Sequence, residues 1–507
     1  MAKMPIDNSK IPSYVTHVTN ILEASGFESF LVGGCVRDLI IDREPKDWDI
    51  TTNAKPEELM KMFEKTIYEN NYGTVAVCIP IDNKVTHETT DLNVTQETPK
   101  YNIIEVTPYR IEAKYSDFRH PDAVKFSNNI EDDLKRRDFT INALAYNQNK
   151  GQIIDLYKGQ EDIKDKVIRA VGDPSDRFNE DALRMLRAVR FSSELNFAIS
   201  YDTMEAIVDN SKLLQNISSE RIRDEFTKII ESKNPTQGIV LLQKLGLLKY
   251  IIPELEEGIG CEQGGAHIYD VFTHLLGALG HAAEKGYSTE IRLAALFHDI
   301  GKPRSRRTGT KKEYTFYGHE VIGARMAHII MERLKYPKKT IDLVVSLVRN
   351  HMFFSDTEQI SLSAVRRIVQ KVGKDHIWEL MEIRECDRVG MKKLEAPYRL
   401  RKYHAMIDEV LRDPLSVGQL AIDGEVLIKE LGMKPSRRMG WILHALLEEV
   451  LDDPKKNTVE YLKGEALVLD KYEDNKLREL GEKAKDLKEK LEKEEIAKVH
   501  AKHNVKK

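Results

Sequence analysis

Near the start of this chain Phe30-Leu31-Val32 runs into Gly33-Gly34 and continues as Cys35-Val36-Arg37-Asp38, and a short interval later comes Lys46-Asp47-Trp48-Asp49-Ile50. An apolar β-like run stopped by two glycines and resumed as a helix predicts a strand, a tight turn and a helix start. In such a turn backbone N–H groups can approach a phosphate closely, and Arg37 can add positive charge. Asp47 and Asp49 are two apart, so on an extended segment both point to one side, where they can hold a pair of Mg²⁺ ions. Read alone, strand-Gly-Gly-helix is a common turn and Asp-x-Asp is equally a surface loop. Their succession narrows the choice.

Short β-like runs at Thr74 to Ile79 and Ile103 to Val106 mark residues 1–150 as an α+β head with a small mixed sheet. From Asp176 onward amphipathic helical spacing takes over, as in Leu183, Leu186, Val189 and Phe191, with Asp181, Arg184 and Arg187 on another face. The expected division is a head (1–150), a helical neck (151–258), a second helical module (259–395), a helical tail (396–470) and a charged helical extension (471–507). The glycine-rich stretch Gly258 to Gly265 supplies the clearest boundary. A chain of 507 residues is too long for one core. No apolar run reaches the roughly 18 residues of a membrane span, and the start lacks a signal-peptide pattern, so a cytoplasmic setting is expected. Cys35, Cys78, Cys261 and Cys386 form no Cys-x-x-Cys pair and read as reduced thiols. A net charge of −4 speaks against coating long RNA nonspecifically, but not against local phosphate contacts at Lys135-Arg136-Arg137, Arg304 to Arg307 or Lys434 to Arg438.

GGCVRD followed by DWDIT resembles the signature of class II tRNA nucleotidyltransferases and the related bacterial poly(A) polymerases. Arg136-Arg137-Asp138-Phe139-Thr140-Ile141-Asn142 is similar to that family's sugar-holding motif, and Glu180-Asp181-Ala182-Leu183-Arg184 to its nucleobase motif. The resemblance implies Asp47 and Asp49 as catalytic Mg²⁺ ligands. It implies nucleotide binding by Gly33, Gly34, Arg37, Arg137, Asp138, Asp181, Arg184 and Arg187. Asp at i and Arg at i+3 would lie side by side on a helix and present an acceptor and a donor fork to the base edge of CTP or ATP. Ser219 to Glu225 resembles a segment buttressing that helix. Tyr115, Asp117, Arg119 and Pro121 resemble a flexible loop kept by enzymes that use ATP, so the expected activity is addition of CCA to tRNA. Addition of the terminal A alone, polyadenylation and non-catalytic tRNA binding remain as alternatives. Glu105 is a candidate extra carboxylate or simply a solvent-facing strand residue.

A second constellation is His274, then His298-Asp299 closing the apolar helix IRLAALFHDIGK, then His319, His351 and Asp387. It resembles the HD phosphohydrolase superfamily. Imidazoles with carboxylates suit Mn²⁺, Fe²⁺, Ni²⁺ or Zn²⁺, and six ligands allow a two-metal site. Lys302 and the basic loop after it are candidates for a substrate phosphate.

Overall fold

The computed structural model describes residues 6–68, 73–81, 101–112, 124–264, 267–308, 314–352, 361–389, 397–414 and 416–480. The loop residues Tyr115, Asp117, Arg119 and Pro121, the cations Lys311 and Lys312, and most of the charged C-terminal extension lie outside them. The chain divides into two units, one built from residues 1–259, 279–292 and 328–341, the other from 260–278, 293–327 and 342–507.

In the first unit a seven-stranded mixed sheet carries the head. Its strands are β1 (Ser29–Val32), β2 (Asp49–Thr52), β3 (Thr66–Tyr68), β4 (Val75–Pro80), β5 (Tyr101–Pro108), β6 (Leu144–Asn147) and β7 (Gln152–Asp155), in the order β3-β4-β5-β2-β1-β6-β7. β1 is central and buried along its whole length, which is why Phe30-Leu31-Val32 reads as a continuous apolar run rather than an alternating one. It pairs antiparallel with β2 and β6, while β2 and β5 run parallel with Asp49 opposite Glu105. Phe30, Val32 and Ala145 pack with Tyr109, Ile130 and Leu134 on one face of the sheet.

Gly33 leaves β1 with φ +81°, the left-handed region that favours glycine, and Gly34 opens helix α1 (Gly34–Ile40). The neck is helical. α2 (Pro174–Glu180) starts on the cap of Asp173, whose carboxylate accepts from the Ser175 and Asp176 amides, with Pro174 in its first turn. α3 (Leu183–Leu195) buries Leu183, Leu186, Val189 and Phe191 and also Arg184 and Arg190. It packs on α4 (Ser219–Glu231) through Arg190, which pairs with Glu225 at 2.9 Å where both side chains are buried. The two-residue strands Val167–Ile168 and Ala198–Ile199 add a small parallel pair to a region read from sequence as helical from Asp176 on.

In the second unit His274 lies on α5 (Val271–Glu284), His298-Asp299 follows α6 (Thr289–Phe297), and His319 opens α7 (His319–Arg333). His351 follows α8 (Lys338–Asn350), and Asp387 ends α9 (Ile377–Asp387). Between α6 and α7 a short hairpin pairs Arg307 with Thr315 and Thr308 with Tyr314. Among the described residues no helix is long and apolar enough to cross a membrane, and all four cysteines are buried and unbridged.

Candidate active sites of the head and the HD module

Exposure alternates through the Asp-x-Asp segment: Asp47 is exposed, Trp48 buried, Asp49 half-buried and Ile50 buried. β2 begins at Asp49, and Asp47 lies just ahead of it in a bend, near enough for its charge to act on Asp49. Burial pushes the Asp49 carboxyl up, Arg137 pulls against it, and the nearby charge of Asp47 pushes it further up. A carboxylate whose ionisation is made costlier by burial and by a neighbouring acid is relieved by a bound cation. A Cβ on Gly33 would come within 3.0 Å of an Arg137 guanidinium nitrogen and 3.8 Å of Asp49 Oδ2, so the glycine turn, the arginine and the carboxylate meet at one point. Glu105 stands beside Asp49 across the parallel β2–β5 pair.

Next to them is a cavity of about 260 Å³ lined by Arg136, Arg137, Asp138, Asp181, Leu183, Arg184, Arg187 and Arg221. Five guanidiniums against two carboxylates make it cationic, which suits a polyphosphate. Asp138 is ionised there. Burial would push its carboxyl up, but Arg187 and Arg184 bring it down to about 2. Its Oδ2 accepts from Arg187 at 2.7 Å, and its Oδ1 accepts from the Asn142 side chain and the Phe139 amide.

Two side chains sit differently from their expected places. Arg37 is not among the residues that line this cavity, although its Nη2 lies 3.6 Å from where a Cβ on Gly34 would stand, at the glycine turn. It is 5% exposed, pairs with Asp38 at 2.8 Å and donates to Asn142 Oδ1 at 2.7 Å, because a guanidinium turned inward from a seven-residue helix must find acceptors there. Nor do Asp181 and Arg184 sit side by side on a helix. Asp181 precedes α3 in extended backbone, and its Oδ1 accepts from the Leu183 amide. Its Oδ2 accepts from Arg221 at 2.7 Å, whereas Arg184 donates to Glu180, to the Arg177 carbonyl and to the Arg136 carbonyl. An aspartate that can cap a following helix prefers that position to a place inside it. Arg136 and Arg221, which lie in segments already singled out in the sequence, thus join the site, and the tertiary pairing discloses their partners.

The second unit gathers all six HD side chains. His274, His298, Asp299 and Asp387 form one group and Asp299, His319 and His351 another, with the donor atoms of each group within 4.8 Å of one another. Asp299 belongs to both. Every imidazole is oriented by its Nδ1, which lies beside a main-chain carbonyl: Val389 for His274, Ala295 for His298, Phe316 for His319 and Val348 for His351, at 2.7 to 3.2 Å. A carbonyl only accepts, so each Nδ1 donates and each Nε2 is turned toward the centre. The Nε2 atoms of His274 and His298 are 3.1 Å apart and those of His319 and His351 3.3 Å. Two bare nitrogens that close would repel, so either a proton shared with the neighbouring carboxylates or a metal ion has to stand between them. Burial would push Asp299 and Asp387 up, but Lys302 and His298 beside Asp299, and hydrogen bonds from His274 and His298 to Asp387, hold both well below the usual carboxylate range. The donor set therefore fits divalent ions.

Lys302 differs from its expected place. It is 6% exposed, 2.5 Å from Asp299 Oδ2, and donates to Gln263 Oε1 at 2.6 Å, so it braces the shared carboxylate rather than standing open to a substrate. His267 also borders the site, its ring 5.2 Å from that of His274. From sequence it lies at the edge of a glycine-rich segment read as a boundary, which hides it.

A strand-turn-helix head with paired carboxylates, an arginine-lined pocket in a helical neck, and a helical HD module define a nucleotidyltransferase-type head joined to a metal-binding HD domain. Residues 29–169 match the family model described as the poly A polymerase head domain, 196–259 a probable RNA- and SrmB-binding site of polymerase A, and 271–391 the HD domain. A CCA-adding enzyme of Lactobacillus helveticus is 49% identical over 444 residues, covering 87% of this chain and 93% of the relative. One from Lactobacillus delbrueckii subsp. bulgaricus is 34% identical over 445 residues, covering 86% and 93%. The Bacillus stearothermophilus CCA-adding enzyme in complex with CTP superposes with a TM-score of 0.68 at 26% identity, over 92% of this chain and all of that one. The chain belongs to the CCA-adding enzyme family.

Proposed function

We propose that this protein adds C, C and A to the 3′ end of tRNA from CTP and ATP without a nucleic-acid template, and that its HD module is a two-metal phosphohydrolase acting on RNA ends. The observation that carries the first part is the convergence of Asp49 and Gly33 on Arg137, which also lines the arginine-rich pocket. Asp47 and Asp49 would hold Mg²⁺, which when bound activates the primer hydroxyl and steadies the departing pyrophosphate. Arg137 and Arg187 set positive charge beside the triphosphate and sugar. Cytosine and adenine share an amino donor next to a ring-nitrogen acceptor on their pairing edge, whereas uracil and guanine present the reverse. Asp181 can accept from that amino group. Arg184 uses three of its five N–H donors on Glu180 and the Arg177 and Arg136 carbonyls, leaving donors for the ring nitrogen.

In the HD module His274, His298, Asp299 and Asp387 would hold one transition-metal ion and Asp299, His319 and His351 another, and such ions when bound supply a water nucleophile and neutralise phosphate charge. Lys302 keeps Asp299 ionised and placed between the two groups. The division into head 1–150, neck 151–258, HD module 259–395 and tail 396–470, with a cytoplasmic setting beside tRNA and nucleoside triphosphates, follows from this reading.

One assay decides the first part: incubation with Mg²⁺, CTP, ATP and tRNA lacking its 3′ CCA. Three added nucleotides are expected. A lone A, a long A tract or an unextended tRNA would each overturn CCA addition.

A further inference from the structure

Tyr317 is the most exposed large apolar side chain among the described residues, at 86%. It lies two residues before His319, which is 4% exposed and opens α7, and next to Gly318, whose φ is +76°. The chain around it is pinned. The Phe316 carbonyl accepts from His319 Nδ1 at 2.7 Å, the strand before it pairs with Arg307 and Thr308, and Arg306 stacks 3.7 Å over the Tyr314 ring. A large aromatic held out from a pinned chain keeps its apolar face available to an occupant. Met352, 61% exposed, directly follows His351, and the Nε2 atoms of His319 and His351 are 3.3 Å apart. Both ligands of this pair are therefore flanked along the chain by a large exposed side chain, one a flat ring and the other a polarisable thioether.

We propose that Tyr317, with Met352 beside the neighbouring ligand, is a nucleobase platform that makes the HD centre selective for nucleotidic phosphoesters over small base-free ones. The inference rests on the reading of the module as a phosphohydrolase. An aromatic face takes any base by stacking, which suits a site meeting varied ends, and Met contacts aromatic rings favourably. Arg306 and Arg307 on the adjoining hairpin give the same rim positive charge for a phosphate-bearing ligand. A lipid surface would call instead for an extended apolar face on a basic helix, which the described residues of this rim do not form.

The full-length protein loaded with Mn²⁺ is assayed on adenosine 3′-monophosphate and on its base-free counterpart, methyl riboside 3-phosphate. Water adds to phosphorus, the P–O ester bond breaks, and inorganic phosphate and the alcohol are released. Wild type should show a lower KM for the nucleotide. Tyr317→Ala should raise that KM about tenfold, leave the riboside KM unchanged, and be rescued by Tyr317→Phe. Calorimetry with 3′-deoxy-3′-(phosphonomethyl)adenosine, in which a CH₂ replaces the ester oxygen so that no P–O ester bond is left to break, should show the same tenfold loss, the wild-type-minus-variant difference cancelling any binding at the head, while Mn²⁺ stoichiometry stays constant. Equal KM values and equal affinities in wild type and Tyr317→Ala overturn the platform. Hydrolysis of neither probe overturns the phosphohydrolase reading instead, with the calorimetric difference still deciding on Tyr317.

Discussion

Asp138 shows how much a single carboxylate is asked to do in the head. One of its oxygens holds Arg187 and the other holds Asn142, which in turn holds Arg37, so the charge orders groups from both the glycine-turn helix and the neck. Its folded-state value of about 2 lies below the roughly 3.9 of an unfolded aspartate. A depressed carboxyl stabilises the fold above the unfolded value and loses that contribution as pH falls toward the folded one. Asp138→Asn should therefore melt at lower temperature than wild type at pH 6, with the gap narrowing between about pH 4 and pH 2. At neutral pH the variant should raise the KM for CTP and ATP by about tenfold, the cost of one charge-assisted hydrogen bond. A melting difference that stays constant across the acid range would show that Asp138 is not the titrating group. Residue type and order along the chain suffice to nominate Asp47, Asp49 and the six HD side chains, because metal chemistry tolerates few substitutes, whereas Asp138 is nominated only by its motif's resemblance to the family. They cannot supply partners. Asp181 with Arg221 and Arg184 with the Arg136 carbonyl are pairings across 40 and 48 residues, fixed only when the neck helices pack on the head.

At the scale of elements, the strand-Gly-Gly-helix unit and the amphipathic α3 were legible because both follow local rules of period and backbone freedom. The position of α3's first turn was not, since an aspartate can begin a helix from inside or from just ahead of it. The HD module depends on a closer fit. Gly301 follows the Asp299-Ile300 step and faces the start of α7, where an added Cβ would lie 2.3 Å from the His319 carbonyl oxygen and 2.5 Å from the Gly323 nitrogen. Those are backbone atoms, so a substitution has to move the helix itself. Gly301→Ala should displace His319 while leaving His274, His298 and Asp387 in place. The expected result is a 10- to 100-fold weaker second Mn²⁺ with the first retained, as is usual when the groups orienting a ligand are disturbed. Calorimetric titration of Mn²⁺ distinguishes this from equal loss at both sites, which would mean the groups do not fill separately.

At the scale of the whole molecule, the head's carboxylates and the HD ligands belong to different compact units, and no side chain serves in both sets. Each has its own source of charge balance: Arg137 beside Asp49, and Lys302 with His298 beside Asp299. Removing a ligand from one set therefore leaves the other electrostatically complete. Asp49→Ala should cut nucleotide addition on the order of 10³-fold, the scale of losing one preorganised stabiliser of a transferring phosphoryl group, while HD metal content and phosphoester hydrolysis stay at wild-type levels. Asp299→Ala should do the reverse. It takes away the one carboxylate common to both HD groups, so both ions should be lost to dialysis while addition to tRNA keeps its kcat. Metal analysis and the two activities, measured on the same preparations, separate the cases. If Asp299→Ala also depresses addition, the HD ions hold the head in its working form and the two chemistries are not independent.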